Sequence, residues 1–249
     1  MRWSKIVFGK CSLLWTFAAI VAAATSMPAV PQAPPAPQSQ IAPAPAPQPA
    51  PAPSRFVVLL DAAHGGDDPG GRLTNQAEKD FTLALSVRLR SLLAARGFQV
   101  ITTRESDSAV DSDRRAEIAN RVNPQACLSL HGSETGSGVH LFTSSLAPSA
   151  PSRIPAWKTA QSAWVTRSLS LAGVVNAALL HAGISITLGR TALPAIDSMT
   201  CPAIAIEIAP DQPSGSTTKT DLDDPAYQAR VAEALAAALL EWKTEEHRP

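Results

Sequence analysis

The sequence predicts an α/β protein built on a single twisted, largely parallel sheet with helices on both faces. Two observations carry that prediction. From residue 55 onward, short apolar runs alternate with segments of helical periodicity, the order that produces strand–helix–strand units. The runs themselves, such as "FVVLL", "ACLSL" and "AIAIEIAP", are apolar at successive positions apart from Ser129 and Glu207, as strands covered on both faces are. With 249 residues, 45% of them hydrophobic, the chain is long enough for one core of ordinary size.

The elements follow in order. Arg2, Lys5 and Lys10 precede the uncharged run from Cys11 to Ala24, "CSLLWTFAAIVAAA", which small residues follow. Residues 1–26 therefore read as a signal peptide or signal anchor, since the run is short for a membrane span of about 20 residues. An exported protein, in the periplasm or cell envelope, is implied, with membrane attachment only through this segment if it is uncleaved. Residues 27–54 hold half of the 22 prolines and are almost entirely Pro, Ala, Gln and Ser. Such a stretch cannot build a core and favours extended polyproline II, a spacer reaching on the order of 80 Å. Residues 55–249 form the folded domain.

Within it, "RFVVLLDAA" is the first strand, and Phe81 to Ala95 an amphipathic helix that Gly97 ends. "FQVITTR" is the second strand. "SDRRAEIANRV" is a short helix capped by Asp111 or Ser112, with Ala116, Ala119 and Val122 inward. "ACLSL" and "GVHLFTS" are strands three and four. One long helix is expected around Trp157 to His181, with Trp157 and Trp164 packing on one face into the core. Short strands near 186–190 and 202–208 precede a last helix from about Pro225 to Trp242. Cys127 and Cys201 sit in apolar stretches where buried free thiols are the plain reading, while an exported protein could also oxidise them into a bridge that the sequence alone does not place within reach.

The charge balance is 21 basic against 21 acidic residues, with no basic block to neutralise phosphates, so nucleic acid is not an expected partner. Ligands of open α/β sheets gather where strands end at their carboxyl edge, and that edge collects the suspicious side chains. His64 follows the first strand in "DAAHGGDDPGG", His131 ends the third in "LSLHGS", and Glu78 opens the first helix in "NQAEKDF". Two imidazoles and a carboxylate with one position left over suit a catalytic zinc ion. Each histidine on its own could equally close a strand end. Asp67 and Asp68 are placed to orient His64 through its other ring nitrogen. Glu207 interrupts an otherwise apolar strand, and a buried carboxylate costs several kcal/mol unless a charge or hydrogen bond meets it. Its face is shared with small Ala203 and Ala205. His140, between Val139 and Leu141, is expected to face outward, and His181 to sit at a helix end where a cation suits the macrodipole.

With "VVLLDAAHGGDDPGG", "EKDFTLAL", "SLHGS" and "AIAIEIAP" standing in this order, the chain resembles the zinc-dependent N-acetylmuramoyl-L-alanine amidases of bacterial cell walls, over about residues 55–245. The resemblance implies one Zn2+ held at the carboxyl edge of the strands by His64, Glu78 and His131, with Glu207 as the catalytic base facing a metal-bound water. It implies hydrolysis of the amide between the lactyl group of N-acetylmuramic acid and L-alanine, with peptidoglycan as partner and an activator protein left open. The chain departs from the family's usual residues at Ala63, Thr82, Gly132 and Ser133, and after Glu207. Two other readings stand beside this one: a zinc peptidase acting within the stem peptide, and a catalytically silent peptidoglycan-binding module. The module would be expected to lack Glu207 or a ligand.

Overall fold

The computed structural model describes residues 55–150, 156–212 and 217–246. The signal segment and the Pro/Ala-rich spacer expected over residues 1–54 lie outside the described residues, as do part of the loop before Trp157 and part of the loop after Glu207. Twelve elements follow one another: β1 (Val57–Ala62), α1 (Glu78–Ala95), β2 (Gln99–Thr102), α2 (Ser112–Val122), β3 (Ala126–Gly132), β4 (Val139–Ser144), a 3-10 segment (Trp157–Ala163), α3 (Val165–His181), β5 (Ile186–Thr191), α4 (Pro194–Asp197), β6 (Ala203–Ile208) and α5 (Pro225–Glu246). The strands form one six-stranded sheet in the order β2-β1-β3-β6-β4-β5. Every neighbouring pair is parallel except β4 with β6.

The central strands β1, β3 and β6 bury both faces because each face has its own helical cover, while the edge strands β2 and β5 stay partly exposed. Val58, Leu60, Leu128, Leu130, Ile204 and Ile206 face α1, α3 and α5. Leu59, Cys127, Ala203 and Ala205 face the smaller layer of α2 and α4 through Ala116, Ala119 and Ile196. Residues alternate along β6 between these two layers, as strand geometry requires. Helix ends follow local chemistry. The Asp111 side chain caps α2 by accepting from the Arg114 amide at 2.7 Å, and Gly97, at φ +79°, takes the left-handed turn that ends α1.

Three expectations are corrected. The single helix around Trp157 to His181 is two segments bent by 64° at Trp164. The bend arises at buried Gln161, whose Nε2 donates to the carbonyls of Met199 and Cys201 (both 3.0 Å) and whose Oε1 accepts from Ser168 (2.7 Å). Those bonds bind the 3-10 turn to the approach of β6. Trp157 accordingly does not reach the core: it is 40% exposed. Trp164 stacks instead beneath the Arg167 guanidinium. Cys127 and Cys201 are not free thiols but a disulfide, closed because parallel pairing sets Cys127 opposite Ala203 and brings the residue two before it alongside.

Candidate functional site

The site begins where β1 leaves the sheet. The Ala63 amide still bonds the Leu130 carbonyl, but His64 has φ +61°, a left-handed backbone that non-glycine residues adopt at a cost. Two buried arginines hold the segment there. Arg115 donates to the carbonyls of Ala62 (2.7 Å) and His64 (2.8 Å), and Arg104 to those of Ala62 and Ala63 (both 3.0 Å). Arg115 is itself neutralised by Asp61, which is 2% exposed and also accepts from Thr103 (2.7 Å) and Ser129 (2.8 Å). Burial, and then the charge of Arg115, pull the Arg104 guanidinium below its ordinary pKa. The sequence reading missed this network.

His64, Glu78 and His131 come together, with one ligand atom from each lying within 4.8 Å of the other two. His64 Nε2 is 3.1 Å from Glu78 Oε2, and His131 Nδ1 is 2.9 Å from Glu78 Oε1. Backbone amides complete the carboxylate: Gly71 donates to Oε2 at 2.8 Å and Gly132 to Oε1 at 3.2 Å. Burial pushes the Glu78 carboxyl up, but the bond with His131 and the two amides together hold it below its ordinary value. The other nitrogen of His64, Nδ1, bonds Asp68 at 2.7 Å, so Asp68 rather than Asp67 orients the ring. That bond, with the Gly70 amide, lowers the Asp68 carboxyl.

Glycine is required at Gly70, φ +67°, because a Cβ there would lie 2.5 Å from the His64 ring and 2.8 Å from Glu78 Oε2. Two of the positions that depart from the resemblance, Thr82 and Gly132, are locally consistent. Thr82 donates to the Ala63 carbonyl at 2.9 Å, and a Cβ on Gly132 would sit 2.8 Å from the Phe81 ring.

Two imidazoles and one ionised carboxylate converging in this way can hold a metal ion, and the donor types fit zinc. A cleft of about 400 Å³ opens beside them, bounded by His64, His131, Ser112 and Arg115, with α4 as a wall and Ala205 lining it. A second, polar cleft near Asn75, Glu134 and Asp223 contains none of the three.

Glu207 lies opposite His131 in the parallel β3–β6 register, and His140 lies opposite Glu207 in the antiparallel β6–β4 register. Registered residues share a face, so His131, Glu207 and His140 form one row across three strands. His140 does not face solvent. Its Nδ1 stands 2.8 Å from Glu207 Oε1, and its side chain is 16% exposed. The Glu207 side chain is 33% exposed, so the carboxylate in the apolar strand is met by this imidazole and by solvent and is not buried as expected. His181 is exposed at the end of α3, as expected.

The model of a family described as N-acetylmuramoyl-L-alanine amidase matches residues 58–241, nearly the whole described domain. The chain belongs to that family. An N-acetylmuramoyl-L-alanine amidase of Mycobacterium tuberculosis is 32% identical over 180 residues, covering 61% of this chain and 73% of the relative. The sporulation-specific amidase of Bacillus subtilis is 31% identical over 96 residues; the match spans 36% of this chain but only 38% of that relative's length. Among solved structures, the CwlD amidase of Clostridioides difficile, in complex with the GerS lipoprotein, superposes with a TM-score of 0.58 at 21% identity. That match covers 76% of this chain and 99% of the other, and it identifies the fold. Within the amidase family fold, the His64–Glu78–His131 cluster sits at the carboxyl ends of β1 and β3.

Proposed function

We propose that this amidase is an exported zinc hydrolase that cleaves the amide joining the lactyl group of N-acetylmuramic acid to the L-alanine of the peptidoglycan stem peptide. The observation that carries the reading is the His64–Glu78–His131 donor cluster, whose two histidines line a cleft and whose His131 is registered opposite Glu207, in a chain of this family. His64, Glu78 and His131 hold the ion, and Asp68 fixes the His64 ring for it. Bound zinc supplies Lewis acidity, lowering the pKa of water towards ~7 and polarising the scissile carbonyl. Glu207 takes the proton of the attacking water and hands it to the departing alanine amine, so one carboxylate serves as base and then acid. Arg115 and Arg104 keep the His64 backbone in place while this happens.

Residues 1–26 direct export as a signal peptide or anchor, residues 27–54 act as a spacer, and residues 55–249 form the catalytic domain. The GerS complex of the Clostridioides relative supports an accessory protein as a further partner here. The test is product analysis of purified sacculi digested by the zinc-loaded chain. Peptides with a free N-terminal alanine, lost on chelation and absent with Glu207→Gln at unchanged zinc content, are the expected result. Cleavage between stem-peptide residues instead would replace the bond named here.

A further inference from the structure

We propose that His140 is a positioning residue: it holds Glu207 in the rotamer from which the carboxylate acts. The inference rests on the reading of Glu207 as the general base and adds a second residue to it. An ionised carboxylate only accepts hydrogen bonds, so His140 Nδ1 is the donor in the 2.8 Å contact with Oε1. That contact assigns one carboxylate oxygen to His140 and leaves Oε2 for the proton transfer. A glutamate has three side-chain torsions, and an isolated one on a strand of alanines and isoleucines would sample several rotamers.

The imidazole is itself fixed on three sides. Antiparallel pairing places its Cα opposite that of Glu207. The Phe142 ring meets it edge-on at 6.4 Å. The backbone of Gly136, at φ +93°, closes over it so tightly that a Cβ there would come within 2.2 Å of Cε1 and 2.6 Å of Nε2. A histidine that merely filled space would not need a loop shaped to its ring. The row His131–Glu207–His140 thus has a ligand on one strand, the acid–base group on the next and its anchor on the third. Misplacing a reacting group by about 1 Å costs on the order of 100-fold in rate, which is the scale on which the anchor acts.

The experiment compares the zinc-loaded full chain with His140→Ala, His140→Asn, Gly136→Ala and Glu207→Gln, measuring kcat, KM and bound zinc for each. His140→Ala is expected to lower kcat about 10- to 100-fold, with KM and zinc content unchanged. His140→Asn, whose amide can donate from nearly the same place, is expected to recover most of the loss. Gly136→Ala, which crowds the ring and also strains its own loop at φ +93°, is expected to fall between wild type and His140→Ala; His140→Leu, which keeps the volume without a donor, stands in if His140→Ala fails to fold. Adding His140→Ala to Glu207→Gln is expected to change nothing further, because the histidine acts through that carboxylate.

An independent readout is the ¹⁵N spectrum of the His140 ring in the metal-free chain. The Nδ1–H tautomer is expected in the wild type, with the preference lost in Glu207→Ala. Wild-type kcat in His140→Ala with an inactive Glu207→Gln would overturn this inference alone. Wild-type kcat in Glu207→Gln would overturn the role of Glu207 and this inference with it. A further loss in the double variant, or an Nε2–H tautomer in the wild type, would also overturn it.

Discussion

At the scale of single residues, the site depends on charges the mechanism never uses. Asp61 neutralises Arg115 and accepts from Thr103 and Ser129, all in the interior, while Arg115 holds the carbonyls of Ala62 and His64. Removing one partner of a buried ion pair leaves the other uncompensated and costs about 3–5 kcal/mol. Asp61→Ala is therefore expected to lose that much stability in urea unfolding and to weaken zinc binding as the left-handed turn at His64 loosens. A midpoint and slope equal to wild type would remove Asp61 from this role. The convergence of His64, Glu78 and His131 was expected from their places at strand and helix ends together with the family resemblance, and the structure brings the three together. Asp61, Arg104 and Arg115 were not legible in the sequence. The partners named for them lie 41 to 68 positions away, and only the packed sheet makes them neighbours. His140 was misread for a related reason: which way a lone strand residue faces depends on its neighbouring strand, and the sequence does not state the neighbour.

At the scale of elements, the same ignorance of pairing explains the other misreadings. Strand positions were legible from apolar runs, but the register between β3 and β6 was not, and that register joins Cys127 to Cys201. The antiparallel direction of β4 had a signal in hindsight: residues 133–138 are too few for the crossover that a parallel return requires. The bend before α3 had none, because Gln161 reads as an ordinary helix residue until the carbonyls of Met199 and Cys201 arrive beside it. The disulfide closes a loop between residues 74 apart, which in the chain-entropy model is worth about 4 kcal/mol, with 2–4 typical of measured cases. Replacing both cysteines by alanine should lower stability in that range, read from denaturant midpoints with matched slopes. Activity on sacculi should persist under native conditions, since neither residue lines the cleft beside His64 and His131. Equal stability of the two forms would show that the bridge does not constrain the unfolded chain. Loss of activity in a folded, bridge-free form would tie β3–β6 register to the site.

At the scale of the whole molecule, the three proposed zinc ligands come from the loop after β1, the start of α1 and the end of β3, so an ion held among them fastens three separate segments. An unfolded chain has no such preformed cluster, and a ligand that binds only the folded state stabilises it by mass action. At free zinc about 100-fold above its dissociation constant, that gain is about 2.7 kcal/mol. For a domain of this size each kcal/mol moves the melting temperature by about 2–4 °C. Chelation should therefore lower the melting temperature by about 5–11 °C, with zinc restoring it. His131→Ala should melt near the chelated wild type and respond to neither zinc nor chelator. The amides of Gly71 and Gly132 also bond Glu78, and the two cores flanking the sheet are built from other residues, so the metal-free domain should still melt in one cooperative transition. A melting temperature indifferent to zinc in the wild type, with the domain folded, would mean that the cluster does not bind the ion. A response that survives in His131→Ala would mean that zinc binds elsewhere on the chain.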